Sequence, residues 1–239
     1  MERMEQPMDV AQLKAWRRQL RAELIARRLA VNPEIRGSWN EAIGSHLLRA
    51  FPNLAHGVIA FCWPHQNEFD ARFLMREMRK RGALTALPVV VAPKTPLIFR
   101  EWYPGVKTAK GVYDIPYPVE SPELIPDTIL VPMNGFDEQG HRLGYGGGYF
   151  DRTLASLKKH ACVIGVAYEL ARVPTIEPQP YDIPMDYIVT ERGVYERSSG
   201  KIELLTHHGQ KFEPGQYSSP ACYAHEIAPD YFGGKKSGP

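Results

Sequence analysis

The chain has few cysteines, no long apolar stretch and almost no excess of either charge. Its three cysteines, Cys62, Cys162 and Cys222, are far apart and form no CxxC pair, which argues against a disulfide framework or a zinc knuckle. We therefore expect a reducing compartment, the cytoplasm. No apolar run approaches the roughly 20 residues of a membrane helix, so we expect a soluble protein with no membrane partner. A net charge of +2 is too small to predict nucleic-acid binding, and none is expected.

The remaining composition is typical of a folded protein. The chain has 239 residues, of which 44% are hydrophobic and 23% are charged. This length suits one α/β domain with a short appendage. From Thr206 the composition shifts towards His, Gly, Pro, Ser and Tyr without apolar periodicity. We therefore predict a domain over residues 1–205 and a docked or partly ordered C-terminal extension over residues 206–239.

Apolar periodicity predicts two N-terminal helices followed by a β-α-β unit. The helices are expected over residues 9–30 and from an Asn32 cap onwards. The β-α-β unit comprises a strand over residues 57–63, a helix from an Asp70 cap to Arg81, and a strand over residues 84–91. Such a unit implies a parallel sheet that binds ligands beyond the carboxyl ends of its strands. We also predict strands over residues 97–102, 128–131, 162–168 and 187–190, a helix over 149–159 and a hairpin over 194–205.

Two arcs of side chains lie next to each other on the first helix. The apolar arc contains Leu13, Trp16, Leu20, Leu24 and Val31, and the basic arc contains Lys14, Arg17, Arg21 and Arg28. The apolar arc is expected to face the core, as are Ile35, Trp39, Ile43 and Leu47 of the second helix. The basic arc would suit an anionic ligand, although a solvated charged face is the more common reason for such a pattern.

A glycine-rich loop at residues 144–148 is the most informative local feature. Gly144, Gly146, Gly147 and Gly148 follow a strand and precede a helix, so backbone N–H groups can surround an anion. The sequence is neither a Walker A motif nor a dinucleotide fingerprint. A flexible loop selected for turn geometry is the alternative interpretation.

Charged residues flank this loop and recur further along the chain. Arg142 precedes the loop, and Asp151 follows it as the first candidate ligand for Mg²⁺. Asp182 and Asp186, before the last core strand, are candidates for a second ligand. Either of them would equally well cap a turn.

The loop after the first strand offers an aromatic ring and a carboxylate. Trp63 would stack on a flat heteroaromatic ligand, and Glu68 would bind its ring nitrogens. The alternative places Trp63 in the core and Glu68 in solvent.

Four segments in this order resemble the 5-formyltetrahydrofolate cyclo-ligase family, whose members are also called methenyltetrahydrofolate synthetases. They are the Arg-rich first helix, the Trp-x-x-x-x-Glu-Phe-Asp segment at residues 63–70, Arg142-Leu143-Gly144-x-Gly146-x-Gly148-Tyr149-Phe150-Asp151-Arg152, and Asp182-x-x-x-Asp186-x-Ile188-Val189-Thr190-Glu191. The match runs from about residue 13 to about residue 196. It implies an α/β fold of the sugar-isomerase and CoA-transferase type, with three layers and a mostly parallel sheet flanked by helices.

The resemblance also implies an activity and site residues. The activity is the conversion of 5-formyltetrahydrofolate to 5,10-methenyltetrahydrofolate, which requires ATP and Mg²⁺ and releases ADP and phosphate. Glu68, Arg142 and Tyr149 are the implied catalytic residues, and Asp151 and Asp182 the Mg²⁺ ligands. The implied ATP contacts are Arg17, Arg21, Arg142, Gly144, Tyr145, Gly146, Gly147, Gly148, Tyr149 and Phe150. The implied folate contacts are Trp63, Glu68, Tyr145, Gly146, Gly147, Gly148 and Tyr149.

Several positions depart from the family pattern. The pattern often has lysine where this chain has Arg17 and Gly147, and it differs as well at Phe150, Tyr117 and Ala171. Lys107, Lys110 and Arg152 are candidates to replace the missing loop charge. A non-catalytic protein that binds folate or nucleotide is the main alternative function, and RNA binding by the first helix is another. We expect a monomer or a weak homodimer.

Overall fold

The computed structural model describes residues 8–157 and 161–205. The helices are α1 (Val10–Leu29), α2 (Pro33–Ala50), α3 (Arg72–Lys80) and α4 (Tyr149–Ser156). The strands are β1 (Val58–Ala60), β2 (Leu84–Val89), β3 (Ile98–Glu101), β4 (Thr108–Lys110), β5 (Pro116–Pro118), β6 (Thr128–Pro132), β7 (Gly135–Phe136), β8 (Arg142–Leu143), β9 (Cys162–Val166), β10 (Tyr187–Thr190), β11 (Gly193–Ser198) and β12 (Lys201–Leu204). The predicted extension at residues 206–239 lies outside the described residues.

Eight strands form one sheet in the order β12-β11-β10-β9-β6-β1-β2-β3. The central strands, from β10 to β2, are parallel, and β3, β11 and β12 add antiparallel edges. Helices α2 and α3 contribute to the core on one face of the sheet, and α4 packs against the core on the other. This arrangement confirms the expected α/β fold with a mostly parallel sheet. Two small hairpins, β4–β5 and β7–β8, lie outside the main sheet.

Local sequence signals account for the starts of the first two helices. Asp9 caps α1 in a capping box with Gln12, and its Oδ1 accepts hydrogen bonds from the amides of Ala11 and Gln12. Asn32 caps α2, where Pro33 occupies the first turn. These residues satisfy amide groups that have no partner within the helix.

Some predicted details are wrong. Ile35 is 49% exposed rather than inward-facing, because only the later part of α2, with Ile43 and Leu47, is buried. Helix α3 begins at Arg72, one residue later than an Asp70 cap implies, and Ala71 occupies the cap position. The Asp70 carboxylate still accepts from the Arg72 amide at the start of the helix, and it pairs with the Arg72 guanidinium. Helix α4 ends at Ser156, because Leu157 is extended.

Within the described part of the chain, none of the helices combines the length and apolar character needed to cross a bilayer.

Candidate active site

A large cleft opens at the carboxyl ends of β1, β2 and β6. Helix α1, the β4–β5 hairpin, the glycine loop and the loop that contains Asp182 complete its walls. Its volume of about 1620 Å³ exceeds the roughly 300–1,000 Å³ of a pocket for one drug-sized ligand. The cleft is therefore large enough for two substrates.

The β7–β8 hairpin carries the glycine loop into this cleft. All five residues from Gly144 to Gly148 line it. Gly148 caps α4 in a left-handed conformation (φ 64°), which glycine adopts without strain. From α1, Arg21 donates through Nε to the Gly144 carbonyl oxygen at 2.5 Å. The predicted order of strand, glycine loop and helix is thus confirmed, and the basic arc of α1 lies against the loop.

Arg142 and Asp151 form an ion pair beneath the loop. Nη2 of Arg142 lies 2.8 Å from Oδ1 of Asp151, and Nη1 donates to the Ile183 carbonyl oxygen at 2.9 Å. Oδ1 of Asp151 also accepts from the Ile183 amide at 3.2 Å. Burial lowers the pKa of Arg142, and the charges of Asp151 and Asp182 oppose that shift. The pair therefore fixes a cation and an anion at the cleft wall.

Arg17 holds the segment that carries Asp182. Its Nη2 binds Oδ2 of Asp182 at 2.6 Å and the Glu177 carbonyl oxygen at 2.7 Å, while its Nε binds the Ile176 carbonyl oxygen at 3.0 Å. Asp182 lines the cleft. Asp186 instead accepts from the Val163 amide at 2.8 Å, near the start of β9. The structure thus brings Asp182, and not Asp186, into the cleft.

The loop after β1 places Trp63, His65 and Glu68 in the cleft. Glu68 is 7% exposed, so the alternative of a solvated Glu68 is wrong. Its Oε1 accepts from the Tyr145 hydroxyl at 2.7 Å, and its Oε2 accepts from the His65 amide at 3.0 Å. The Arg72 guanidinium lies 4.7 Å from the ring centroid of Trp63. Trp63 therefore contacts a cation while also lining the cleft.

Sequence reasoning missed the role of Arg28, which is 4% exposed. Its Nε donates to the Gln66 carbonyl oxygen at 2.9 Å, and its Nη2 donates to the Tyr145 hydroxyl at 3.2 Å. The same Nη2 lies 3.9 Å from Oε1 of Glu68. The basic arc of α1 contained Arg28, but nothing in the local sequence indicated that this arginine is buried against two distant loops.

The network of Arg28, Glu68 and Tyr145 determines the protonation of its members. Burial raises the pKa of Glu68, and the Arg28 charge and the hydrogen bonds from Tyr145 and His65 oppose that rise. Burial and the Glu68 charge raise the pKa of the Tyr145 phenol. Tyr145 is therefore a neutral donor to Glu68.

Aromatic and basic residues complete the walls. Tyr149, Phe150 and Arg152 line the cleft together with Lys110 from β4. The Arg142 guanidinium lies 5.8 Å from the ring centroid of Phe150. Lys107, by contrast, is exposed and pairs with Glu120 at 2.7 Å.

Comparisons with known proteins agree with this geometry. The model of the 5-formyltetrahydrofolate cyclo-ligase family matches residues 13–191. Proteins named 5-formyltetrahydrofolate cyclo-ligase from Escherichia coli K12 and Mycolicibacterium smegmatis are 26% and 30% identical to the chain. The first alignment covers 71% of this chain and 97% of the Escherichia coli protein. The second covers 74% of this chain and 94% of the Mycolicibacterium smegmatis protein.

Two solved structures share the fold. The 5,10-methenyltetrahydrofolate synthetase of Aquifex aeolicus is 29% identical, with a TM-score of 0.66 over 82% of this chain and 99% of that one. The synthetase of Mycoplasma pneumoniae is 23% identical, with a TM-score of 0.62 over 73% and 98% of the two chains, and supports the fold alone. With the family model spanning most of the domain, the resemblance seen in the sequence is confirmed: the chain belongs to the 5-formyltetrahydrofolate cyclo-ligase family.

Proposed function

We propose that the chain converts 5-formyltetrahydrofolate to 5,10-methenyltetrahydrofolate at the expense of ATP. The observation that supports this most strongly is the hydrogen bond between Tyr145 of the glycine loop and Glu68 of the loop after β1. It joins a phosphate-binding loop to an aromatic and acidic loop within one cleft. Such a site suits a reaction between a nucleotide and a flat heteroaromatic substrate.

The proposed reaction has two chemical stages. The formyl oxygen attacks the γ-phosphorus of ATP, and the bond from that phosphorus to ADP breaks. N10 of the folate then attacks the activated formyl carbon and loses its proton. Phosphate departs with the former formyl oxygen, leaving the methenyl bridge. Alignment and charge neutralisation are the main requirements for the phosphoryl step.

The glycine loop and the arginines beside it form the proposed ATP site. Backbone amides of the loop and the N-terminus of α4 supply donors for phosphate oxygens. Arg21 and Arg142 add positive charge on two sides of the loop. Arg17 is bound by Asp182 and two carbonyl oxygens, so we assign it first to positioning the Asp182 segment and second to ATP.

The proposed folate site lies at the carboxyl end of β1, next to the glycine loop. Glu68 is the proposed acceptor for N–H groups of the folate ring, and Trp63 packs against the ring. Tyr149, which follows the glycine loop, is the proposed catalytic neighbour of both substrates. The His65 amide and the Tyr145 hydroxyl each donate to one oxygen of Glu68, so these two hydrogen bonds fix the orientation of the carboxylate.

Asp151 and Asp182 fit a magnesium site shared with phosphate. In each carboxylate, protein donors bind one oxygen. Oδ1 of Asp151 accepts from Arg142 and from the Ile183 amide. Oδ2 of Asp182 accepts from Arg17 and from the Gln179 amide. Among the described residues, no group of three or more His, Cys, Asp or Glu side chains converges as a metal cage. This suits Mg²⁺, which binds one or two carboxylates and completes its shell with phosphate oxygens and water. When bound, the ion would neutralise phosphate charge.

Three further assignments belong to this proposal. We place the enzyme in the cytoplasm, which agrees with the free thiols of Cys62 and Cys162. We propose that it acts as a monomer or weak homodimer. We also propose that its partners are the two small substrates and not nucleic acid, in keeping with the net charge of +2.

The test is the appearance of methenyltetrahydrofolate absorbance with 5-formyltetrahydrofolate, ATP and Mg²⁺, run beside the omission of each component. We expect product only when all three are present, with one ADP released for each product. Tight folate binding without ADP release would overturn catalysis and support the alternative of a binding protein.

A further inference from the structure

The cations that line the cleft differ in their partners. Arg17 pairs with Asp182, and Arg142 pairs with Asp151. Within the described residues, Arg152 contacts no carboxylate: its Nη2 donates to the Gly147 carbonyl oxygen at 2.5 Å. Its Nε is buried and has no hydrogen-bond acceptor among the described residues. Arg152 therefore presents to the cleft a positive charge that no acidic side chain of residues 8–157 and 161–205 balances.

The glycine loop shapes the position of this guanidinium. The Tyr149 ring lies so close to Gly147 that a Cβ atom there would be 2.8 and 2.9 Å from Cδ2 and Cε2 of the ring. The Arg152 guanidinium lies 5.2 Å from the centroid of that ring. A Cβ atom on Gly148 would lie 2.8 Å from Nη1 of Arg152. Glycine at both positions thus lets the ring and the guanidinium pack directly on the loop backbone.

The other two candidate cations are placed differently. Lys107 is exposed and pairs with Glu120, so its charge is already balanced away from the cleft wall. Lys110 lines the cleft, but from the β4–β5 hairpin rather than from the glycine loop. Of these three cations, Arg152 is the one with a hydrogen bond to the loop among the described residues. A guanidinium can also bind two phosphate oxygens at once, which an ammonium cannot do with the same geometry.

We propose that Arg152 is a binding and catalytic residue of the ATP site, whose guanidinium contacts the terminal phosphates and neutralises charge on the phosphoryl group during transfer. The glycine loop contains no lysine of its own, and Arg152, from the first turn of α4, adds a cation to those that Arg21 and Arg142 supply. Gly147, Tyr149 and Arg152 then act as one unit: the missing side chain makes room for the ring, and the ring and a carbonyl oxygen hold the guanidinium. This inference rests on the proposed function.

The test measures MgATP affinity by calorimetry and steady-state kinetics for both substrates. For Arg152→Gln we expect the Kd and KM for ATP to rise roughly 10- to 100-fold, as for loss of a charge-assisted hydrogen bond. The KM for 5-formyltetrahydrofolate should stay within about twofold of the wild-type value, as for a residue outside the folate subsite. Arg152→Lys retains the charge and should give intermediate ATP affinity. Lys107→Gln is the matched control and should leave both constants unchanged.

A double variant separates this role from a structural one. Gly147→Lys alone should weaken ATP binding, because its Cβ atom displaces the Tyr149 ring. In the Arg152→Gln background the same lysine returns a cation to the loop and should improve ATP affinity relative to Arg152→Gln. Thermal melting confirms that each variant is folded.

The outcomes distinguish this inference from the proposed function. If the wild-type chain makes methenyltetrahydrofolate but Arg152→Gln binds MgATP as tightly as the wild type, Arg152 has no such role and the function stands. The same conclusion follows if Lys110→Gln, rather than Arg152→Gln, weakens ATP binding. If the wild-type chain makes no product, the function fails, while calorimetry still reports whether Arg152 binds the nucleotide.

Discussion

The hydroxyl of Tyr145 donates a 2.7 Å hydrogen bond to Oε1 of Glu68, a residue 77 positions earlier in the chain. Both groups are largely removed from water, and Arg28 contacts them from below. A hydrogen bond between a neutral phenol and a buried carboxylate is stronger than one between neutral groups. The glycine loop and the loop after β1 are therefore held in a fixed relative position before either substrate binds.

We predict that Tyr145→Phe lowers kcat/KM for 5-formyltetrahydrofolate. The variant leaves the buried Glu68 carboxylate without one of its donors, a loss of about 1.5–3 kcal/mol, or roughly 10- to 100-fold in rate. Steady-state kinetics with both substrates would measure it. The effect should be larger for folate than for ATP, because Glu68 belongs to the folate loop.

Tyr187→Phe is a matched control for this variant. Tyr187 donates a 2.9 Å hydrogen bond to Glu196 at the β10–β11 pairing, away from the cleft. Tyr187→Phe deletes a hydroxyl from the same kind of tyrosine–glutamate pair. Because this pair lies away from the cleft, the kinetic constants should be unchanged. Equal losses in both variants would show that Tyr145 acts through general stability and not through Glu68.

We next predict an acid limb in kcat/KM that reports Glu68. Burial raises the pKa of Glu68, so the anion that binds folate is lost at a higher pH than for an exposed glutamate. Arg28 lowers that pKa, and Arg28→Met should therefore move the limb to higher pH, with a smaller movement for Arg28→Lys. A profile of kcat/KM against pH for each variant measures this.

Glu68→Gln is the control for this assignment, because other groups near Glu68 also have shifted pKa values. Burial and the Arg28 charge lower the pKa of His65, and burial followed by the Glu68 charge raises the pKa of the Cys62 thiol. Glu68→Gln should remove the acid limb and greatly lower turnover. If the limb persists at the same pH in that variant, it belongs to another group.

The same shift predicts how stability depends on pH. The folded chain holds the Glu68 proton more tightly than the unfolded chain, so this residue's contribution to stability falls as pH rises between its unfolded and folded pKa values. Arg28→Met should cost about 3–5 kcal/mol of stability near neutral pH, because it leaves a buried carboxylate without its cation. Urea unfolding at several pH values tests both effects.

Local sequence patterns predicted the elements whose limits depend on nearby residues. Helix α1 lies within the predicted residues 9–30, β10 occupies the predicted residues 187–190, and β11 and β12 form the predicted hairpin. Ile35 shows where this reasoning fails. A helical pattern identifies an apolar side, but it does not show how far the neighbouring sheet extends beneath it.

In the candidate site too, the sequence identified residues close together in the chain but not the contacts between distant ones. Arg142 and Asp151 flank the glycine loop, so the sequence identified both as candidates, but it did not indicate that they form an ion pair. Arg28 contacts Gln66 and Tyr145, which are 38 and 117 residues away, so its burial depends on tertiary packing that no local pattern encodes. The position of Asp182 in the cleft, rather than Asp186, likewise depends on the path of a loop.

Magnesium dependence provides a separate prediction. Asp151→Asn and Asp182→Asn each remove a charged ligand from the proposed site, so both should raise the Mg²⁺ concentration needed for half-maximal rate and lower turnover. Because Asp151 pairs with the buried Arg142 and Asp182 pairs with Arg17, each substitution also weakens an ion pair, and thermal melting must show that the variant is folded. Initial rates across a Mg²⁺ titration measure the effect.

Asp186→Asn is the control for the metal assignment. Asp186 bonds to the Val163 amide outside the cleft, and asparagine retains an oxygen that can accept this bond. Its Mg²⁺ dependence should match that of the wild type. A larger effect for Asp186→Asn than for Asp182→Asn would reverse the assignment of the second ligand.

The start of β1 offers a final prediction, on stability. Gly57 and Gly82 have nearly equal φ angles, 108° and 107°, in a region that side chains rarely adopt. A Cβ atom on Gly57 would lie 2.6 Å from Oδ2 of Asp127, the acceptor for the Val58 amide, whereas one on Gly82 would meet nothing within 4 Å. Gly82→Ala should therefore lower the free energy of unfolding by roughly 1–3 kcal/mol through backbone strain alone. Gly57→Ala should lower it further, because the added methyl group displaces the Asp127 carboxylate from the β1 amide. Urea unfolding of the two variants isolates that contact, and equal losses would show that Asp127 moves aside without cost.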